Sequence, residues 1–189
     1  MYFASKYIIQ ETIMGLIRNL KEEYDGLFAR GVFDSKSLFQ GEMPVELYLD
    51  EGATEEDGEK CIEHYNRLLE KQEMLDALQS GLEKFFLYMY DEWEQMDIYE
   101  DIFTSLKDVM DGYKSGKQLV SYLSDPKMCV WPQPENETGY GIVCECPWEP
   151  EHQCQILIRN DKIVYVGTSE GNTPWDDEDE YYCIWNDEE

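Results

Sequence analysis

Apolar residues recur at three- and four-residue intervals near the start of the chain. Ile9, Ile13, Leu16, Ile17 and Leu20 fall on one stripe, which predicts a helix over residues 2–23 that ends at Asp25-Gly26. The period then changes. Leu27 to Phe33 is followed by the turn cluster Asp34-Ser35-Lys36-Ser37, and Val45, Leu47 and Leu49 alternate with Glu46, Tyr48 and Asp50. This predicts a short antiparallel pair whose second strand has one buried and one wet face. Thr54 stands as an N-cap, with Asp57 three residues on as a capping-box partner. A helical stripe runs from Ile62 through Leu68, Leu78, Leu82, Phe85, Phe86 and Met89 to Trp93. At 1.5 Å per residue one unbroken helix would reach about 60 Å, so a break is expected near Gln72 or at Gly81. Ile102, Phe103, Leu106 and Met110 predict a further helix over 99–111, and Lys117–Leu123 a short one before Asp125-Pro126.

After Pro126 the pattern becomes that of strands. Met128–Trp131 is a short apolar run, and Tyr140–Cys146, Gln155–Ile158 and Lys162–Val166 read as strands. Arg159-Asn160-Asp161 joins the last two as a tight hairpin, because Asn and Asp tolerate positive φ. The order of elements predicts an α+β fold, with helices packed on one face of an antiparallel sheet and a β-meander in the C-terminal third. The chain divides into an N-terminal helix (1–25), an α+β domain (26–168) and an acidic, aromatic tail (169–189) docked on that domain. In the tail, Tyr181 to Trp185 lie between two acidic runs as an edge strand or docked segment.

Charge changes this picture more than composition does. The 189 residues hold 42 Asp and Glu against 15 Lys and Arg, a formal net charge of −27. Residues 1–50 carry −3, residues 51–117 carry −11 and residues 118–189 carry −13. Such a chain is repelled by nucleic acid and anionic membranes and attracted to basic partners, although a solubilising coat is the plainer reading. With 14 Tyr, 5 Trp and 42% apolar residues, it has the material for a core that an acidic disordered chain lacks. No apolar run approaches the roughly 20 residues of a membrane span, and the N-terminus does not read as a secretion signal. The expectation is a cytoplasmic protein whose six cysteines are reduced thiols.

The densest chemistry is Cys144-Glu145-Cys146-Pro147-Trp148-Glu149-Pro150-Glu151-His152. It could be a metal site or a Glu151–His152 acid/base pair. It could equally be a turn pinned by Pro147 and Pro150, with Trp148 under the sheet and His152 bonded to backbone. The Cys-x-Cys spacing is not that of a zinc knuckle, and neighbouring strand residues point to opposite faces. No phosphate loop, nucleophile elbow or H-E-x-x-H is present. No cofactor, metal ligand set or catalytic residue is therefore expected, and the chain reads as a binding protein. Its candidate contact residues are acids set among aromatics. Glu92, Trp93, Glu94, Asp97, Tyr99, Glu100 and Asp101 form one group. Trp175, Asp176, Asp177, Glu178, Asp179, Glu180 and Tyr181 form the other.

The cluster and its flanks also carry a resemblance. Gly141-Ile142-x-Cys144-x-Cys146-x-Trp148-Glu149-x-Glu151-His152, Ile156-x-Ile158 and Asp161-Lys162-Ile163-Val164-x-Val166-Gly167 resemble an uncharacterised bacterial domain family with a C-x-W-x-x-E-H turn, over roughly residues 26–168. Gln153 stands where that pattern has Gly. Such proteins are similar to the immunity proteins encoded beside bacterial polymorphic toxins. The resemblance implies an inhibitor that neutralises a basic toxin domain, a nuclease in the first instance, and offers no catalytic residues. A metal- or small-ligand-binding regulatory domain, or an acidic housekeeping protein without a specific partner, are the alternatives.

Overall fold

In the computed structural model, residues 15–95, 100–177 and 179–181 are described, with the side chains of 100–103 left out. Seven strands form one sheet in chain order: β1 (Arg18–Glu23), β2 (Phe28–Ser35), β3 (Gly41–Tyr48), β4 (Ser124–Val130), β5 (Gly139–Cys146), β6 (Glu149–Arg159) and β7 (Lys162–Thr168). Each pair of neighbours is antiparallel except β3 and β4, which run parallel. That parallel seam is short: Val45 faces Met128, Glu46 faces Cys129 and Leu47 faces Val130. The helices α1 (Glu55–Tyr65), α2 (Gln72–Gln95) and α3 (Glu100–Lys114) all lie between these two strands in the chain, as a parallel crossover requires. The architecture is α+β.

The helix read over residues 2–23 is corrected where it can be followed. Residues 1–14 lie outside the described residues, and from Arg18 onward the chain is strand. Ile17 and Leu20 do have helical spacing, but pairing with β2 overrides it, helped by an irregular register between Arg18 and Lys21. Ile17 is buried in a recess that two glycines leave open. A Cβ on Gly31 would stand 2.6 Å from its Cγ2, and one on Gly58 2.7 Å from its Cδ1.

The long helical stripe is broken at residues 66–71. The side-chain oxygen of Asn66 accepts from the Lys36 amide at 2.8 Å, and its amide nitrogen donates to the Asp34 carbonyl. The residue that leaves the helix thus ties down the β2–β3 turn. At the other end of α1, Asp57 N–H donates to Thr54 Oγ1 (3.2 Å) and Thr54 N–H to Asp57 Oδ2 (2.9 Å), a complete capping box. Gly81 does not break α2. It lets the helix approach β7, since a Cβ there would lie 2.7 Å from Val166 Cγ2. Asn160 has φ 54° in the tight β6–β7 turn.

Two apolar clusters follow from the alternation of strand residues. The larger joins Phe33, Met43, Val45, Leu47, Met128, Val130, Tyr140, Ile142, Ile156 and Ile158 of the strands to Ile62, Leu78, Leu82, Phe85, Phe86 and Leu106 of the helices. The intervening positions Cys129, Trp131, Val143, Leu157 and Tyr165 form a smaller cluster, against which Tyr48, Val164, Trp175 and Tyr181 pack. Glu46, expected on a wet face, is only 3% exposed. It lies beneath Arg30 and Lys127, which bond to its two oxygens. The five described cysteines are free and buried. Burial raises the Cys61 and Cys144 thiols above the usual thiol range and the Cys129 thiol to about 11.

Candidate functional site

The Cys144–His152 segment forms the end of β5, a two-residue turn and the start of β6. Trp148 at that turn is fully buried. Its ring meets Phe86 edge-on at 5.4 Å and Phe85 at 6.2 Å. Glu149, 6% exposed, folds back over the turn. Its Oε1 accepts from the amides of Glu151 (3.2 Å) and His152 (3.1 Å) and faces His152 Nδ1 at 3.2 Å. In place of the Glu151–His152 pair considered from sequence, the carboxylate that meets His152 is that of Glu149, whose side chain folds back over the turn. The imidazole bonds to that carboxylate and not to backbone. Gln153, the residue in place of Gly, has φ 64°. That is a left-handed backbone in which glycine is the unstrained choice. Among the described residues no group of three or more His, Cys, Asp and Glu is arranged to hold a metal ion.

The first acidic group surrounds this turn. Trp93 is 8% exposed and donates its indole N–H to the Trp148 carbonyl at 2.9 Å. Its face is turned inward, so it is no exposed anchor. Glu94 is exposed and Glu92 half-buried. Glu92 and Trp93, with Tyr88, Met89, Glu149, Glu151 and His152, line a hollow of about 190 Å³. Asp97 and Tyr99 lie outside the described residues. Glu100 and Asp101 open α3, and their side chains are not described.

The second group is a docked segment. Thr173 and Asp176 close a small ring: Asp176 accepts from the Thr173 amide and hydroxyl, both at 2.6 Å. Tyr181 donates to the Thr173 carbonyl at 2.9 Å, and its ring lies 5.9 Å from that of Tyr165. Gln155 and Arg159 of β6 donate to the carbonyls of Asn172 (3.0 Å) and Asp176 (3.4 Å). Pro174 and Trp175 press on Gly139, where a Cβ would meet the Trp175 ring at 2.7 Å. Trp175 and Tyr181 thus face the sheet, while Asp177, Asp179 and Glu180 are exposed. Glu178 lies outside the described residues.

Sequence reasoning missed two arrangements. One is a row of rings across β2, β3 and the end of β4. Tyr24 meets Phe28 edge-on at 6.1 Å, Phe28 meets Tyr48 at 5.1 Å, and Tyr48 stacks on Trp131 at 4.9 Å with 5° between planes. The Arg30 guanidinium lies 5.5 Å from the Tyr24 ring centre and 5.9 Å from that of Phe28. The signal was the shared parity of Phe28 with Arg30 and of Glu46 with Tyr48. The other is His64 on α1. Its Nδ1 lies 3.0 Å from the Tyr140 hydroxyl and its Nε2 3.0 Å from Asp161, which Lys71 also holds. A neutral imidazole that accepts from the phenol and donates to the carboxylate satisfies both contacts. Burial lowers the His64 pKa, against the pull of Asp161.

No helix among the described residues is long and apolar enough to cross a membrane. No curated protein and no solved structure matches the chain. The model of one protein family does match, over residues 17–173, a span that takes in all seven strands. This chain therefore belongs to that family, the domain of unknown function DUF6985.

Proposed function

We propose that this protein is an immunity-type inhibitor: a cytoplasmic binding protein, not an enzyme, that occupies and neutralises a basic toxin domain through its acidic surface. The observation that carries the reading is the imbalance of 42 acidic against 15 basic side chains on a chain with a well-formed core. Self-repulsion of that size opposes the compact state, and a basic partner relieves it. A nuclease domain, whose phosphate-binding surface is rich in Lys and Arg, is the partner class that fits. Acidic side chains on the inhibitor would steer association and occupy the same surface. In this reading the helices cover one face of the sheet and β4–β7 form a meander. The other face, with its smaller cluster and the docked segment, is left to present side chains to a partner.

The test is genetic and biochemical. A gene beside this one should encode a large exported protein with a toxin-like C-terminal domain. That domain should co-purify with this chain, with affinity falling as salt rises. A neighbouring toxin domain that fails to bind at any ionic strength removes the proposal.

A further inference from the structure

The hollow where the last turns of α2 meet the β5–β6 turn combines apolar walls with a buried carboxylate that the fold only half uses. Tyr88 with Glu92, and Met89 with Trp93, stand four residues apart on α2 and so share one side of the helix. Together with Glu149, Glu151 and His152 they border about 190 Å³. Among the described residues of this lining there is no Lys or Arg.

Glu149 sets this hollow apart from an exposed patch of acid. Its side chain is 8% exposed, yet the turn engages one oxygen alone. Oε1 meets three donors, the amides of Glu151 and His152 and the Nδ1 of His152. Oε2 has no hydrogen-bond partner among the described residues. A carboxylate oxygen withdrawn from water without a donor costs more than an ordinary hydrogen bond returns, so this oxygen is an acceptor held ready for a ligand. His152 adds a second. Its Nδ1 faces a carboxylate and therefore carries a proton, which in the neutral ring leaves Nε2 as an acceptor. Glu92 and Glu151 supply further carboxylates, and neither is in a salt bridge among the described residues.

The donors of this lining are largely spent. Trp93 Nε1 is bonded to the Trp148 carbonyl, and His152 Nδ1 to Glu149. What remains, apart from the Tyr88 hydroxyl, is a set of acceptors, and the ligand that matches it offers donors only. A metal ion does not fit, because among the described residues no group of three or more His, Cys, Asp and Glu is arranged to hold one. A guanidinium does fit. It has five N–H donors and no acceptor, pairs with carboxylates through a planar fork, and lies flat against aromatic walls. We infer that this hollow is the pocket for a single arginine side chain of a basic protein partner, with Glu149 Oε2, Glu92 and Glu151 as its acceptors and Met89 and Trp93 as its wall. The inference rests on the proposed function and gives it a contact at the end of the sheet.

The experiment is an NMR titration of the full chain with Nα-acetyl-arginine amide at low salt, beside Nα-acetyl-citrulline amide, which keeps the shape and removes the charge. Saturable shifts are expected at the Trp93 indole N–H and at the amides of Glu151 and His152, with the citrulline compound about 10-fold weaker. Glu92→Gln/Glu151→Gln should weaken arginine binding about 10-fold. Glu94→Gln/Asp177→Asn, on exposed acids outside the hollow, should leave it within about 2-fold. Thermal melts of each variant establish that it is folded. Equal binding of the two compounds, or shifts that miss Trp93 and His152, overturn the pocket. The second arm uses the toxin domain from the neighbouring gene, whose affinity for the Glu92→Gln/Glu151→Gln chain should fall about 10-fold. An unchanged toxin affinity overturns the pocket and leaves the inhibitor reading standing. A toxin domain that binds neither chain overturns the inhibitor reading, and with it a protein as the source of the arginine.

Discussion

Trp93 donates its indole N–H to the main-chain carbonyl of Trp148 across 2.9 Å. One bond thereby joins the last turns of α2 to the β5–β6 turn, and Trp148 itself is packed between Phe85 and Phe86 of the same helix. The turn that carries Glu149 and His152 is positioned by the helical layer as well as by its own strands.

Trp93→Phe keeps an aromatic ring but withdraws the donor and leaves a buried carbonyl unpaired. The expected loss is about 1–3 kcal/mol of unfolding free energy, from the orphaned acceptor and the smaller ring. Urea denaturation of the two proteins measures it. A change below about 0.5 kcal/mol would mean that the indole contact adds nothing.

Glu46 is buried between Arg30 and Lys127 on the seam where β3 meets β4. Burial alone would raise its pKa. The bond from Arg30 and the charge of Lys127 outweigh that, and the net shift is downward. Its contribution is therefore present above the unfolded value of 4.5 and is lost as pH falls through the lower folded value. Glu46→Gln should cost about 1–3 kcal/mol at neutral pH. The figure is discounted because Arg30 and Lys127 are 41% and 36% exposed and partly screened. The gap between variant and wild type should close in acid, which melts at a series of pH values would show.

His64 has the opposite proton chemistry with the same slope. Its pKa in the fold lies below the ordinary 6.5, first because of burial. Above 6.5 both folded and unfolded states are neutral there and stability is complete. As pH drops below 6.5 the unfolded chain takes up the proton first and stability declines. His64→Gln should remove that part of the pH dependence while costing about 1 kcal/mol at pH 7.5. A resonance assigned to His64 that titrates above 6.5 would contradict the arrangement.

Gln153 holds φ 64°, and glycine there should relieve backbone strain. Gln153→Gly is expected to stabilise by about 0.5–1 kcal/mol, less whatever its side-chain bond to Glu145 contributes. Differential scanning calorimetry reads the shift. Gly81→Ala has the reverse sign. Helix propensity favours alanine by about 1 kcal/mol, but a Cβ 2.7 Å from Val166 Cγ2 forces α2 away from β7. Overpacking of that kind costs about 1–3 kcal/mol, so the variant should be less stable.

Features encoded by neighbours in the chain were legible from sequence. Thr54 and Asp57 cap α1 as their spacing implies, Asn160 makes the hairpin, and the β2–β3 pair stands where the alternation put it. What depends on distant partners was not. Ile17 and Leu20 have helical spacing, yet β2 claims that segment as a strand. Glu46 occupies a polar position in an alternating strand and is buried all the same, because Arg30 and Lys127 approach from two other strands. Trp93 has the acidic neighbours of a surface anchor, yet it shares the stripe of Leu82, Phe85, Phe86 and Met89 and points inward with them. Tyr24, left-handed at φ 52° in the β1–β2 turn, leaves no trace in a pattern of apolar and polar letters, since only Gly26 near it hints at the backbone.

The parallel seam has a consequence for how the family can vary. Three residue pairs, Val45 to Leu47 against Met128 to Val130, are the whole strand-to-strand join between the two halves of the sheet, and everything from Leu49 to Leu123 is the loop that closes it. Closing a longer loop costs only about 0.6 kcal/mol for each doubling of its length. Relatives can therefore lengthen the connections between the helices at little cost, provided that Ile62, Leu78, Leu82, Phe85, Phe86 and Leu106 still fill the core, while a single-residue slip at the seam would turn Val45 and Leu47 out of the core and Glu46 into it.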